Sequence, residues 1–502
     1  MSALLPVGLL AARASSGAVL LTLATVVNAS CGLVVSALLA RALGPAVVGT
    51  YAFALALSEI VHLLTDWSIG TAIVQARDDL PRLLETALTL GLVLGLGLIG
   101  LCLLLAPLLW LAFSPVVAAL FVALAVVRLF QLLADCFGAV LERDLRYGRF
   151  TAVRFLAVAL AQISALSLAW AGAGVWALFA REAVHIAGLF LGMWLASGRP
   201  LRLAVARPTL RHLALFGGGM TVARLGELVF HRLDNAVVGL LWGPRELGLY
   251  DEAYRFSEIG HRLTGPAVIQ VALAAYAQLQ TRPAERVRAF QFVQESVVRL
   301  LPPLFLALGL GARDLLWLLY GEQWLDAAPI LQMLAVYATV IPLFEHTKQL
   351  LYSQGAVGTM IRIRVFQLAL YIPCLLALTA LWGGVGAALA VNLGLVAASL
   401  AQARAAGRYI DASWPAQRAV YGRPLLATAL GALAFLAWTA LGPRGWHPQG
   451  EALVRLLLPA LVYTLAIIGL DWERTVPRAG AVLRLLLLRP AAETGAPAPA
   501  GR

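Results

Sequence analysis

The feature that leaves this chain fewest ways to fold is a succession of about fourteen apolar runs, each near the roughly 20 residues that a helix needs to cross about 30 Å of hydrocarbon. They fall near 16–40, 46–72, 84–110, 114–140, 151–170, 174–195, 214–242, 248–278, 290–311, 327–352, 364–381, 384–403, 424–442 and 453–470. Turn residues divide the longest stretches at Gly44-Pro45, Gly172-Ala173-Gly174, Gly243-Pro244 and Gly383-Gly384. A neighbouring count of 12 follows if two of these divisions are ignored. Composition agrees: 61% of residues are hydrophobic and 13% charged, against roughly 45–50% and about 25% in soluble domains. The expected class is an all-α integral membrane protein.

Arginines set the expected orientation, because basic residues concentrate in short cytoplasmic loops. They crowd every second connection, as at Arg143, Arg146 and Arg149, at Arg199, Arg202, Arg207 and Arg211, and at Arg282, Arg286 and Arg288. Both termini are therefore expected in the cytoplasm. The net charge of +12 follows from this topology and calls for no nucleic acid, though it would draw the loops toward anionic membrane lipid. Cys31, Cys102, Cys136 and Cys374 lie within apolar runs without metal-ligand spacing, so no metal is expected. The first run is too long for a cleavable signal and is expected to remain as an anchor. Tryptophans near span ends, such as Trp110, Trp170 and Trp242, suit an interfacial belt.

A repeat sharpens the architecture. The stretch 44–65 returns at 243–264, an offset of 199 residues, with matches at Gly44/Gly243, Pro45/Pro244, Gly49/Gly248, Tyr51/Tyr250, Ser58/Ser257, Glu59/Glu258, His62/His261 and Thr65/Thr264. An offset of six spans keeps both copies in the same direction, which predicts two pseudo-two-fold related six-helix lobes about an axis along the membrane normal. The expected units are 1–212, 213–410, two appended helices with a basic end over 411–489, and a disordered tail over 490–502. Within each lobe Gly-Pro forms the turn between the first two helices, with the repeated tyrosine expected at interfacial depth.

Charge inside these runs marks the candidate site. Span 7 carries Arg224, Glu227, His231, Arg232 and Asp234; span 8 carries Asp251, Arg255, Glu258, His261 and Arg262; span 2 carries Glu59, His62 and Asp66. Each charge near a helix centre costs roughly 2.5–3.5 kcal/mol in lipid, so these faces must look into protein or water. Arg224, Glu227, His231 and Asp234 share one helical stripe, as do Asp251, Arg255, Glu258 and Arg262. The pairs Asp251–Arg255 and Glu258–Arg262 could equally neutralise one another and hold helices together. The histidines and glutamates admit coupling to protons or sodium; no other cofactor is expected.

The tract Asp234-Asn235-Ala236-Val237-Val238-Gly239, continuing through Gly243, Gly248, Tyr250 and Ala253, resembles the opening of the second half of polysaccharide exporters in the multidrug/oligosaccharidyl-lipid/polysaccharide flippase superfamily. Further matches are Ala40-Arg41 with Leu43-Gly44, Gly49 and Tyr51; Glu142-Arg143 with Leu145-Arg146-Tyr147; and Gly321-Glu322 with Trp324, Ala327-Ala328 and Ile330-Leu331. The resemblance is nearest to the lipopolysaccharide and exopolysaccharide flippases. It implies translocation of an undecaprenyl-diphosphate-linked oligosaccharide across the bacterial inner membrane by alternating access, with no enzymatic step. It also implies a monomer working beside polymerase or export machinery. Arginine forks suit a diphosphate, so Arg224, Arg255, Arg262 and Arg232 are the expected substrate ligands. Glu59, His62, Asp66, Glu227, His231, Asp234, Glu258 and His261 are expected to line the cavity. A drug/cation antiporter of the same superfamily is the nearer alternative, and a membrane glycosyltransferase or polymerase the more distant one.

Overall fold

Two glycines in the same unusual conformation mark the repeat. Gly44 (φ 78°, ψ 166°) and Gly243 (φ 82°, ψ −178°) occupy backbone space that side chains avoid. Each is followed by a proline that opens the next helical segment, where its missing N–H costs nothing. A sharp reversal is thereby written into two residues, and it recurs once per lobe.

In this computed structural model the described residues are 32–63, 65, 67–75, 80–259, 272, 275–410, 414–442 and 447–472, with backbone alone for 216, 218–231 and 414–419. The helices are α1 (Gly32–Leu43), α2 (Pro45–His62), α3 (Ile69–Gln75), α4 (Leu80–Ala112), α5 (Pro115–Arg143), α6 (Tyr147–Trp170) and α7 (Val175–Ser197). They continue as α8 (Arg207–Ser257), α9 (Pro283–Leu300), α10 (Pro302–Gly309) and α11 (Ala312–Tyr320). A 3-10 turn (Glu322–Ala327) leads to α12 (Ala328–Ser353), α13 (Val357–Ala406), α14 (Trp414–Leu441) and α15 (Pro448–Leu470). The fold is all-helical among the described residues.

Ten helical stretches among the described residues are long and apolar enough to cross a membrane. Two helices bend back on themselves where turns are expected from sequence: α8 at Gly243, and α13 at Trp382 and Gly383 (φ 58°). At the second bend a Cβ on Gly386 would lie 1.9 Å from the Leu378 carbonyl, so the two arms meet backbone to backbone. The expected first span and much of the eighth fall on residues outside the described set.

One sequence expectation needs correction. The apolar run 46–72 is broken: α2 stops at His62, Thr65 Oγ donates to the His62 carbonyl at 2.8 Å, and Ser68 adopts φ 48° before α3 begins. A short polar side chain has satisfied the backbone in place of the next helical turn. The repeated tyrosines turn into the protein: Tyr51 and Tyr250 are 2% and 0% exposed. Each belongs to the main core, which joins α1 and α2 to α8, α12 and α13. By contrast Trp110, Trp170 and Trp242 stand exposed on the helix ends, as an interfacial belt requires. A second core fills the space among α3, α4 and α5 and receives Leu213 from α8.

Candidate functional site

The repeat helices α2 and α8 pack against each other, and their polar side chains meet there. Glu59 on α2 lies 2.5 Å from Arg232 Nε, while Arg232 Nη2 donates to the other carboxylate oxygen at 3.3 Å. The Glu59 oxygen that accepts from Arg232 Nη2 also accepts from Arg128 of α5 at 3.4 Å. Arg128 is shared: Nη1 donates to Gln131 at 2.5 Å and lies 3.5 Å from Glu182 of α7. The result is an alternating chain, Glu182–Arg128–Glu59–Arg232, running from the interior of the first lobe to the first helix of the second. Two carboxylates and two guanidinium groups balance in charge, which is the condition for burying them at this depth.

A second network lies within α8. Asn235 donates to Asp251 at 2.9 Å, and Arg255 Nε donates to the other Asp251 oxygen at 2.9 Å. Tyr250 donates to Asp234 at 2.7 Å, and Asp234 also accepts the Asn235 backbone N–H. Beside it Tyr320 of α11 donates to Glu252 at 3.0 Å. The carboxylates are buried while the cations keep an open side: Asp251 is 7% exposed and Arg255 31%, Glu59 18% and Arg232 35%.

The expected site residues divide accordingly. Glu59, Arg232 and Arg255 lie in these two networks. Asp234 is 1% exposed and braces Tyr250 inside its lobe, so its side chain is structural packing rather than cavity lining. His62 ends α2 with its ring 3.0 Å from Thr65 Oγ. Glu258 caps the second arm of α8. Asp66, His261 and Arg262 lie outside the described residues, and of Arg224, Glu227 and His231 the backbone alone is described. Among the described residues no three His, Cys, Asp or Glu side chains converge on a metal-sized site. Arg128 and Glu182, which belong to no repeat, complete the chain; their signals in the sequence are a single arginine within an apolar run and an Arg181-Glu182 doublet in the next-but-one helix.

At the Gly-Pro end the lobes touch backbone to backbone. A Cβ on Gly49 would lie 1.6 Å from the Pro244 carbonyl, and one on Gly248 would lie 2.0 Å from that of Pro45. Close crossings of this kind need glycine. Beside it Trp324, fully buried, donates to the Ala40 carbonyl at 3.1 Å, and Gln323 donates to that of Arg41 at 2.8 Å. Three separate motifs, Ala40 to Tyr51, Gly243 to Tyr250 and Gly321 to Trp324, thus converge on one seam.

A family match spans all three of these motifs. Residues 38–329 match the family described as "Polysaccharide biosynthesis protein". The chain belongs to that family. It is similar to the succinoglycan biosynthesis transport protein ExoT of Rhizobium meliloti (strain 1021), 24% identical over 60% of this chain and 61% of that protein. It is also similar to the lipopolysaccharide biosynthesis protein WzxC of Escherichia coli (strain K12), 24% identical over 76% of this chain and 77% of WzxC. The match to ExoT thus spans about three fifths of that relative. Among solved structures, lipid II flippase MurJ in an inward closed conformation superposes with a TM-score of 0.72 at 13% identity, covering 90% of this chain and 99% of MurJ. An inward-facing multidrug transporter of the MATE family superposes with a TM-score of 0.56 at 16% identity, covering 82% and 96%. The chain therefore has the fold of these transporters.

Proposed function

We propose that this protein flips a polyprenyl-diphosphate-linked oligosaccharide across a bacterial inner membrane by alternating access, supplying cell-surface or exported polysaccharide synthesis. The Gly-Pro seam faces the periplasm and the arginine-rich loops the cytoplasm, with both termini inside. The polyprenyl tail stays in lipid while the diphosphate and sugar pass between the lobes as a monomer works beside polymerase or export proteins.

The observation that carries this reading is the interlobe pair Glu59–Arg232, whose guanidinium is one-third exposed while its carboxylate is withdrawn. A diphosphate can replace a carboxylate on an arginine fork with equal or better geometry. Arg232 and Arg255 are then the first ligands, with Arg224 and Arg262 retained as candidates from their sequence positions. Substrate arrival exchanges an interlobe ion pair for a substrate ion pair, which releases the lobes only when cargo is present. Differential affinity between states is what such a switch requires.

The test is genetic and chemical. Cells carrying Arg232→Ala or Arg255→Ala should insert normal amounts of protein yet accumulate the lipid-linked oligosaccharide on the cytoplasmic leaflet and export no polymer. Normal export by both variants would refute the assignment, and accumulation of a different lipid intermediate on deletion of the encoding locus would change the substrate.

A further inference from the structure

The connection between the lobes is held on the first lobe by two threonines. After α7 ends at Ser197, Gly198 turns the chain (φ 66°), and residues 199–206 run without helix or strand to α8. On the way the Ala206 N–H donates to Thr86 Oγ at 3.2 Å, and Thr89 Oγ donates to the Ala204 carbonyl at 3.1 Å. Both threonines stand on α4, whose 33 residues make a helix about 50 Å long, roughly 20 Å more than the hydrocarbon it crosses. Shared between the two ends, that excess puts about 10 Å of helix beyond the hydrocarbon on each side. Thr86 and Thr89 lie about 9 and 14 Å from the start of α4. The strap formed by residues 199–206 is therefore fixed at the boundary between hydrocarbon and headgroups.

We propose that this strap, with the first turn of α8, is a docking site for anionic phospholipid of the adjoining leaflet. Leu201, Leu203 and Val205 are 42%, 50% and 55% exposed, and they alternate with Arg202 and Ala204, the period that sets side chains along one face of an extended chain. Arg202, Arg207 and Arg211 are exposed and Arg199 is half-buried; none of the four forms an ion pair among the described residues. The sequence holds no acidic residue between Glu182 and Glu227, so these guanidinium groups meet no opposing charge from their own segment. From the first turns of α4 beneath them come one arginine, Arg82, and one acid, Glu85. Apolar side chains at this height enter the acyl region, while arginines beside them bond phosphate oxygens. A phospholipid offers both an acyl chain and a phosphate at that spacing, which neither free phosphate nor an acidic protein surface does.

The strap is continuous with an anchored stretch of α8. Leu213 sinks into the second core, Leu210 packs against it, and a Cβ on Gly217 would lie 2.6 Å from that of Trp67. α8 therefore begins on the first lobe before it carries Arg232 to the junction with Glu59. Phosphate held by Arg207 and Arg211 secures the start of this helix to the lobe that already holds the strap. The interlobe connection is thus a lipid-anchored collar rather than a free tether, and the site is independent of the identity of the cargo.

Native mass spectrometry of the full-length protein, released from nanodiscs of equal phosphatidylglycerol and phosphatidylethanolamine, reads which lipid stays bound. The wild-type protein should retain phosphatidylglycerol in preference, and the preference should fall as salt rises before release. Arg202→Gln alone should lower it about fivefold, the worth of one arginine at an anionic surface. Changing Arg199, Arg202, Arg207 and Arg211 together to Gln should erase it, while changing the same four to Lys, which keeps charge and topology, should preserve most of it. Arg288, Arg362, Arg404 and Arg408 are equally exposed in other arginine-rich connections, and their joint change to Gln should leave the preference largely intact. An equal loss in that control would reduce the effect to net charge and overturn the site. So would equal retention of both lipids by the wild-type protein, a result that requires no variant to fold. Displacement of phosphatidylglycerol by polyprenyl phosphate at equal concentration would give the strap to the cargo and overturn the proposal as well.

Discussion

Adding one methyl group at the seam should wedge the lobes apart at their Gly-Pro ends. In Gly49→Ala the new Cβ would stand 1.6 Å from the Pro244 carbonyl oxygen, whereas ordinary contact begins near 3.4 Å. The ends must therefore separate by on the order of 1.5–2 Å, and because the obstacle is backbone no side-chain rotation can absorb it. Overpacking of this size costs roughly 1–3 kcal/mol, a factor of about 5–150 in the ratio of closed to open lobes. Helix propensity works the other way, favouring alanine by about 1 kcal/mol, so destabilisation of the closed state would have to come from the crossing. Gly248→Ala meets Pro45 at 2.0 Å and should act alike, with the double variant less than additive because both strike one contact. Spin labels at Ala171→Cys and Arg313→Cys, exposed residues at the Gly-Pro ends of the two lobes, would report the separation. An unchanged distance distribution in a folded Gly49→Ala protein would refute the reasoning.

Three further outcomes are expected. Trp324→Phe keeps the buried ring but loses the bond to the Ala40 carbonyl, so it should favour seam opening by about 0.5–1.5 kcal/mol, read as greater labelling of a cysteine at position 41. Tyr250→Phe removes a donor from the buried Asp234 carboxylate and should lower stability by about 1–3 kcal/mol in thermal unfolding of the purified protein; an unchanged midpoint would argue that Asp234 is not held this way. Asp471 joins Arg299 of α9 to Arg423 of α14, and both it and Arg299 are almost wholly buried. Asp471→Asn should detach α14 and α15 from the second lobe at a cost of about 3 kcal/mol, measured as faster proteolysis after Leu441, while export persists if those helices are only appended.

How much of this was legible in the sequence depends on the distance over which each residue acts. The reversals at Gly44-Pro45, Gly243-Pro244 and Gly383 are local, and a glycine beside proline or glycine announces them. The end of α2 at His62 is local too, but Thr65 terminates it with one hydroxyl, a signal too faint against an apolar run that continues to Ile73. Helical spacing placed Arg255 with Asp251, an i,i+4 pair. It could not pair Arg232 with Glu59, because that contact joins residues 173 apart across two lobes. Nor could it distinguish Asp234, which shares a stripe with other charged residues yet turns inward to Tyr250. Arg128 and Glu182 lie on helices far apart in sequence, and their partnership needs two helices to be laid side by side. The glycine repeat was recognised as a turn, while its second use, letting Gly49 and Gly248 cross, emerges only when both copies meet.

The account depends most on Arg232 exchanging a carboxylate of the other lobe for the diphosphate of the cargo. Purified protein reconstituted in liposomes with a fluorescent polyprenyl-diphosphate oligosaccharide, followed by reduction of the label exposed outside, measures that directly. Wild-type protein should render nearly all of the label accessible, and Arg232→Ala should leave the inner-leaflet half protected with the variant correctly inserted. Flipping by Arg232→Ala at the wild-type rate would contradict the account.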